Sequence, residues 1–183
     1  MEVHEVIKNR RAYRSLKPVK ITQNLIHDLA SAAQLSASCF NNQPWRYIFV
    51  YEPSKLKQMF NVLSSGNEWA THASMIIAVL SKKDYDCVIY DRVYYHFDTG
   101  MATAFLILRA TELGLVAHPI AGYSPKKTRE VLGIPDELEV VTLVIVGKKS
   151  QTINPELSEK QQKDEDKRPE RLPLEKFVYH NTY

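Results

Sequence analysis

The sequence predicts one domain that combines helices with a sheet, and three observations predict it. Ala73 to Leu80 and Val140 to Val146 are nearly continuous apolar runs, the pattern of strands buried on both faces. Phe97, Met101, Ala104, Phe105 and Leu108 recur at helical spacing in a long segment that stops at Gly114. Between an amphipathic segment and a β-rich run stands Ser36 to Arg46, whose Ser, Asn and Gln side chains suit neither a helix nor a strand interior. At 183 residues, 44% of them hydrophobic and 25% charged, the chain is long enough for one real core.

Taken in order, Val3, Val6 and Ile7 share one face of a short helix that ends at Asn9. Arg10, Arg11 and Arg14 then crowd into five residues before Lys17 and Pro18. Guanidinium forks match phosphate oxygens, so this corner reads as a phosphate clamp, as a solvated basic loop or as a nucleic-acid contact. Thr22 caps a helix over 23–34, with Leu25, Ile26, Leu29, Ala32 and Ala33 as its apolar stripe. The polar loop follows, and Pro44 and Trp45 lead into a strand over 47–51.

Pro53 and Ser54 open a third helix, which Ser64, Ser65 and Gly66 close. Asn67 stands at the entrance to the next strand, either as the cap of a short helix or as a ligand contact. Strands are expected at 73–80, 115–120 and 140–146, with a helix from Ser124 to Leu132 that has Pro125 at its first position. Gly122 makes a turn or lets the backbone approach a ligand. From Lys148 to Glu170 the chain turns polar and lacks aromatics, so it reads as an arm, and Phe177 to Tyr179 reads as a strand-like end for a neighbouring subunit.

Composition excludes some classes. A formal charge of +3 is too mild for a nucleic-acid or membrane partner to be argued from field strength. The sequence opens without a signal-peptide pattern, has no apolar run that spans a bilayer and shows no metal-ligand spacing among Cys and His. Its two cysteines, Cys39 and Cys87, fit a reducing cytoplasm.

Together these segments resemble the FMN-dependent nitroreductase family. The resemblance rests on Arg10 to Arg14 after a first helix, the loop Ser36 to Trp45, the helix carrying Asp98, Pro119 to Tyr123, and the late Arg171, Leu172 and Pro173. It implies an α+β fold of three layers, α-β-α, around a central mixed, mostly antiparallel sheet. It also implies one domain over 1–183, a homodimer in which residues 171–183 extend onto the partner, and FMN in each of two clefts at the interface.

By the same resemblance, Arg10, Arg11 and Arg14 meet the phosphate and the pyrimidine edge of the flavin, and Arg171 meets the phosphate. Ser36, Ser38, Asn41 and Gln43 hold FMN from one subunit or the other, and Asn67 touches the flavin edge. Ala12 stands where the family usually has Ser, Ala37 where it has Pro, and Ala121 where larger members have an acidic residue before Gly122; backbone contacts survive all three changes. Lys148 and Lys149 neighbour the phosphate without a matching motif.

The implied activity is a cytoplasmic oxidoreductase that passes hydride from NAD(P)H through flavin to nitroaromatics, quinones or similar acceptors in a ping-pong cycle. No protein acid or base is required by that chemistry, because the flavin supplies it. Two further readings remain open: reductive dehalogenation or flavin-modifying chemistry on the same architecture, and a nucleic-acid-binding module using Arg10, Arg11, Arg14, Lys148 and Lys149. Against the last stands the lack of aromatic and basic residues interleaved along one stripe.

Overall fold

The computed structural model describes residues 2–183. Helix α1 (Val3–Asn9) leads into an extended stretch that pairs briefly as β1 (Leu16–Lys17). Helix α2 (Gln23–Gln34) begins where the Thr22 hydroxyl accepts the Leu25 amide at 3.2 Å, the cap the sequence announces. Strand β2 (Arg46–Val50), helix α3 (Pro53–Phe60) and strand β3 (Met75–Ser81) follow. A small hairpin, β4 (Val88–Ile89) with β5 (Arg92–Val93), precedes the long helix α4 (Tyr95–Glu112).

Strand β6 (Val116–Ile120) then leads to α5 (Pro125–Leu132), capped by the Ser124 side chain and ended by Gly133 at φ 65°. That left-handed conformation is one a side chain resists, which is why a glycine stands there. Strand β7 (Glu139–Lys149) and helix α6 (Glu159–Asp166) complete the regular elements.

Strand β7 is the spine of the sheet. β3 pairs along one edge, while β6 and β1 share the other, and β2 extends the sheet beyond β3. Every one of these ladders is antiparallel, as expected of most of the sheet. Because side chains alternate along a strand, β3 feeds two cores at once. Met75, Ile77 and Val79 meet Ile26, Leu29 and Ala33 of α2 and Ala102, Leu106 and Ala110 of α4. Ile76, Ala78 and Leu80 meet Leu56 and Met59 of α3, with Val62 and Trp69 beside them.

The continuous apolar run at 73–80 is therefore a strand buried on both sides, and the layers are α-β-α. Across all four of its core strands the sequence reading lands within three residues of the observed bounds.

The C-terminal fifth, from Lys148 on, departs from the reading. Residues 148–170 are not an arm free of the domain: β7 runs through Lys149, Leu157 is 4% exposed within the core, and α6 forms. Within the single chain, residues 177–179 follow a short 3₁₀ turn at Leu174–Lys176 with their side chains exposed, and the expected pairing with a neighbouring subunit lies outside one chain. A two-residue β1 beside Pro18 also went unread, since so short a strand leaves no period to see. No described helix is long and apolar enough to cross a membrane.

Candidate active site

Five arginines from the two ends of the chain converge on one cavity. Arg10, Arg11, Arg14, Arg168 and Arg171 line a space of about 110 Å³ with Ala12, Pro169 and a lone carboxylate, Asp164. Pockets that take a whole small molecule run to roughly 300–1,000 Å³. A space this small suits one terminal anionic group.

Its electrostatics point the same way: burial, then the Arg168 and Arg171 guanidinium groups, push the pKa of Arg10 below its usual value. A positive charge is held there against repulsion. The carboxylate that lines the cavity is Asp164, whose Oδ2 stands 3.8 Å from Nη1 of Arg14.

The arginine segment is extended, so its backbone amides need partners from outside. Glu165 of α6 provides two of them, accepting the Arg14 amide at 2.7 Å and the Ser15 amide at 3.0 Å. Arg11 in turn donates to the carbonyls of Asp164, Glu165 and Asp166, and its guanidinium lies over the Tyr13 ring. Arg168 donates to the carbonyls of Lys8 and Arg10, fastening the end of the chain to the end of α1.

Beneath them, His118 of β6 is stacked on Trp69 and donates from Nδ1 to the Tyr13 carbonyl at 3.1 Å. Burial pushes its pKa down to about 4, so the ring is neutral and Nδ1 carries its proton. Lys149 places its ammonium over the other contact of Tyr13, the aromatic face, and neither it nor Lys148 lines the arginine cavity.

A second pair comes together at the entrance to β3. The Asn67 side-chain amide donates to the Gly122 carbonyl at 3.0 Å, and that carbonyl also accepts the Ser64 amide. A Cβ at position 122 would collide with the Asn67 amide, so the glycine is required for this approach. Asn67 occupies the cap position of the following 3₁₀ turn, but its side chain makes no capping bond. Ala121 is exposed beside it.

The polar loop is held as a separate unit. Phe40, Asn41 and Gln43 adopt left-handed φ values of 47°, 58° and 51°, strained for residues with a side chain. What holds them is local: the Ser38 hydroxyl accepts the Gln43 amide at 2.9 Å, and Ser36 is 6% exposed with its hydroxyl on the Ala37 carbonyl. Asp98, near the start of α4, accepts the Cys39 amide at 2.6 Å.

Cys39 is also bonded to Cys87, 48 residues away, so the two cysteines expected as thiols of a reducing compartment are a disulfide. Burial and the facing Asp86 carboxylate raise the pKa of Asp98. A proton retained on Asp98 gives the facing Asp86 carboxylate, whose Oδ2 is buried, a hydrogen to accept.

Of the residues the sequence singles out, one chain thus gathers Arg10, Arg11, Ala12, Arg14 and Arg171 around one cavity, and Asn67 with Ala121 and Gly122 at another point. Ser36, Ala37, Ser38, Asn41 and Gln43 do not line the arginine cavity. Gln43 instead faces a shallow cleft with Trp45, Arg46 and Gln34. Sequence reasoning missed Arg168, Glu165 and His118. Only Arg168 left a signal, as a third basic residue near Pro169.

Solved structures share the fold over the whole chain. An oxidoreductase described as containing FMN superposes with a TM-score of 0.87 at 23% identity, covering 100% of this chain and 93% of that one. A nitroreductase family protein from Clostridium difficile gives 0.82 at 24% identity, with both chains covered in full. Among sequence relatives, a chain of Archaeoglobus fulgidus provisionally named NADH dehydrogenase/NAD(P)H nitroreductase is 31% identical over 155 residues, 80% of this chain and 84% of that one. The Bacillus subtilis protein MhqN, provisionally named an NAD(P)H nitroreductase, is 25% identical over 211 residues, 96% of each chain.

Fold and relatives make this protein an oxidoreductase. The model of the nitroreductase family matches residues 7–68 and 63–148, and the chain belongs to that family.

Proposed function

We propose that the chain binds FMN and acts as an NAD(P)H-dependent oxidoreductase on nitroaromatics, quinones or similar small acceptors. The observation that carries the reading is the arginine cavity, which five arginine residues and a single carboxylate line in a space sized for a terminal phosphate. The donor set fits: fixed forks match phosphate oxygens bidentately, and a dianion relieves the repulsion that weighs on Arg10.

In this reading Arg10, Arg11, Arg14 and Arg171 seat the phosphate, joined by Arg168, with the backbone at Ala12 alongside. Ser36, Ser38, Asn41 and Gln43, with backbone at Ala37, grip the ring by its polar edge, and Asn67 with the backbone at Ala121 and Gly122 borders it. FMN held there would supply the redox chemistry, hydride transfer from a nicotinamide and to an acceptor in separate half-reactions. The protein would bind and orient the group, and none of its acids or bases is needed to move a proton in the transfer.

A second copy of the chain belongs to this proposal. The loop does not line the arginine cavity of its own subunit, so the partner's loop completes the cleft. An apolar groove of about 430 Å³ lined by Val3, Ala32, Leu35, Phe105 and Leu108 gives the partner a surface to bury. Leu172, Leu174, Phe177 and Tyr179 lie exposed on the tail that would reach across. A cytoplasmic setting is part of the proposal too, and the Cys39–Cys87 bond is the feature least at home there.

The test is an absorption spectrum of the purified protein followed by anaerobic titration with NADH and NADPH. Flavin bands that bleach on adding a nicotinamide are the expected result. Protein that gains no flavin absorbance with added FMN, yet binds single or double strands in a salt-sensitive way, would replace this reading with the nucleic-acid one.

A further inference from the structure

Glu165 is the one acidic side chain buried in the arginine region, at 5% exposure, and neither cofactor chemistry nor the core explains it. A carboxylate is costly to bury unless each oxygen is paired. Here each is: Oε1 takes the Arg14 amide and Oε2 the Ser15 amide. These two bonds join residues 151 and 150 positions apart. The link is made from both sides, because Arg11 caps the final carbonyls of the helix that carries Glu165.

The helix itself is fixed independently of the loop. Ser158 and Gln161 form a reciprocal capping box, Gln161 Nε2 donates to the Gly66 carbonyl at 3.0 Å, and Leu157 is anchored in the core. Glu165 thus transfers the rigidity of the core to a stretch that has no strand or helix of its own. The need for this is geometric, since a guanidinium forks onto a phosphate only if its backbone is held within a fraction of an ångström.

On the reading that the arginine cavity seats the phosphate of FMN, we propose that Glu165 is a positioning residue: by gripping the Arg14 and Ser15 amides it keeps the Arg14 guanidinium aimed into that cavity. The residue touches no cofactor atom itself. Its effect falls on the phosphate end of the ligand and leaves the ring end alone.

That difference makes the test. FMN and riboflavin share the ring and differ in the phosphate, so both are titrated by flavin fluorescence into wild-type, Glu165→Gln and Glu165→Asp protein. Losing or weakening a buried charged hydrogen bond is worth about a factor of ten or more in affinity. Glu165→Gln is expected to lower FMN affinity roughly tenfold, with riboflavin affinity unchanged; Glu165→Asp, which keeps the charge but is one methylene short, should fall between. Should the Gln variant fail to fold, the Asp variant carries the same comparison.

In a background of Arg14→Ala, where no guanidinium is left to aim, Glu165→Asp should cost no further FMN affinity. Equal losses for FMN and riboflavin, or additive losses on top of Arg14→Ala, would reduce Glu165 to a fold element and overturn the inference. Wild-type protein that binds FMN no tighter than riboflavin would overturn the phosphate reading and this inference with it. Wild-type discrimination that persists in both Glu165 variants would overturn this inference alone.

Discussion

The arginine cavity and the Ser36 to Gln43 loop are built by opposite means. The cavity is assembled from the two ends of one chain and locked by charge-assisted bonds, a buried carboxylate accepting backbone amides and guanidinium groups donating to backbone carbonyls. The loop is a run of strained backbone that is tied down at two points, a disulfide and the Asp98 carboxylate, and otherwise faces outward with Phe40 84% exposed. The difference teaches that residues far apart in sequence can be locked into one cavity by buried polar bonds, while a segment contiguous in sequence is held chiefly by its own short-range contacts and two fastenings.

Breaking the loop's fastening should give the largest effect on stability. A cross-link closing 48 residues contributes up to about 4 kcal/mol in the chain-entropy model. Cys39→Ser, or treatment with a dithiol, should lower the urea midpoint accordingly, while a midpoint unchanged by dithiol would mean that the bond does not form in solution.

The cavity side has its own stability signature. The folded-state pKa of His118 is lowered to about 4, so the folded chain stays neutral there while the unfolded chain takes up a proton below about 6.5. The stability it contributes is present above pH 6.5 and is lost as pH falls toward 4. The span corresponds to roughly 3 kcal/mol at most. Urea unfolding from pH 7.5 to 4 should show this slope in wild type and a flatter one in His118→Gln.

Asp98→Asn sharpens the contrast on the loop side. The folded-state pKa of Asp98 is raised, so the folded chain holds a proton that the unfolded chain has released, and stability declines as pH rises from about 4 through the raised value. Asparagine keeps an acceptor for the Cys39 amide and removes the repulsion with Asp86. A gain of about 0.5–1 kcal/mol at pH 8, vanishing near pH 4, is expected from thermal melts. A loss at pH 8 would show that the carboxylate itself is needed.

How much of this could be read in advance depends on the range of the interaction. Thr22, Ser124 and Gly133 announce helix ends because caps are local, and the β3 and β7 runs announce a sheet buried on both faces because burial is written into consecutive residues. The arginine cluster was legible for the same reason at Arg10 to Arg14, and Arg168 and Arg171 showed as a late basic patch, with a phosphate role for Arg171 coming only through the family resemblance. Helix α6 was passed over although Ser158 and Gln161 spell its capping box. It has no apolar stripe, since its inward contact is the carboxylate of Glu165.

Pairings over long separations left no local mark. Nothing near Glu165 hints at Arg14, nor near Cys39 at Cys87. Asn67 had two readings from sequence, and the structure shows its amide on the Gly122 carbonyl with the cap left unmade.

The central claim is that the arginine cavity seats the phosphate of a flavin, and Arg14→Ala tests it most directly. Fluorescence titration of wild type and variant with FMN and with riboflavin should show FMN affinity falling roughly ten- to a hundredfold on losing one forked, charge-assisted contact, with riboflavin binding unmoved. FMN affinity that survives the substitution intact, in Arg171→Ala as well, would contradict the account.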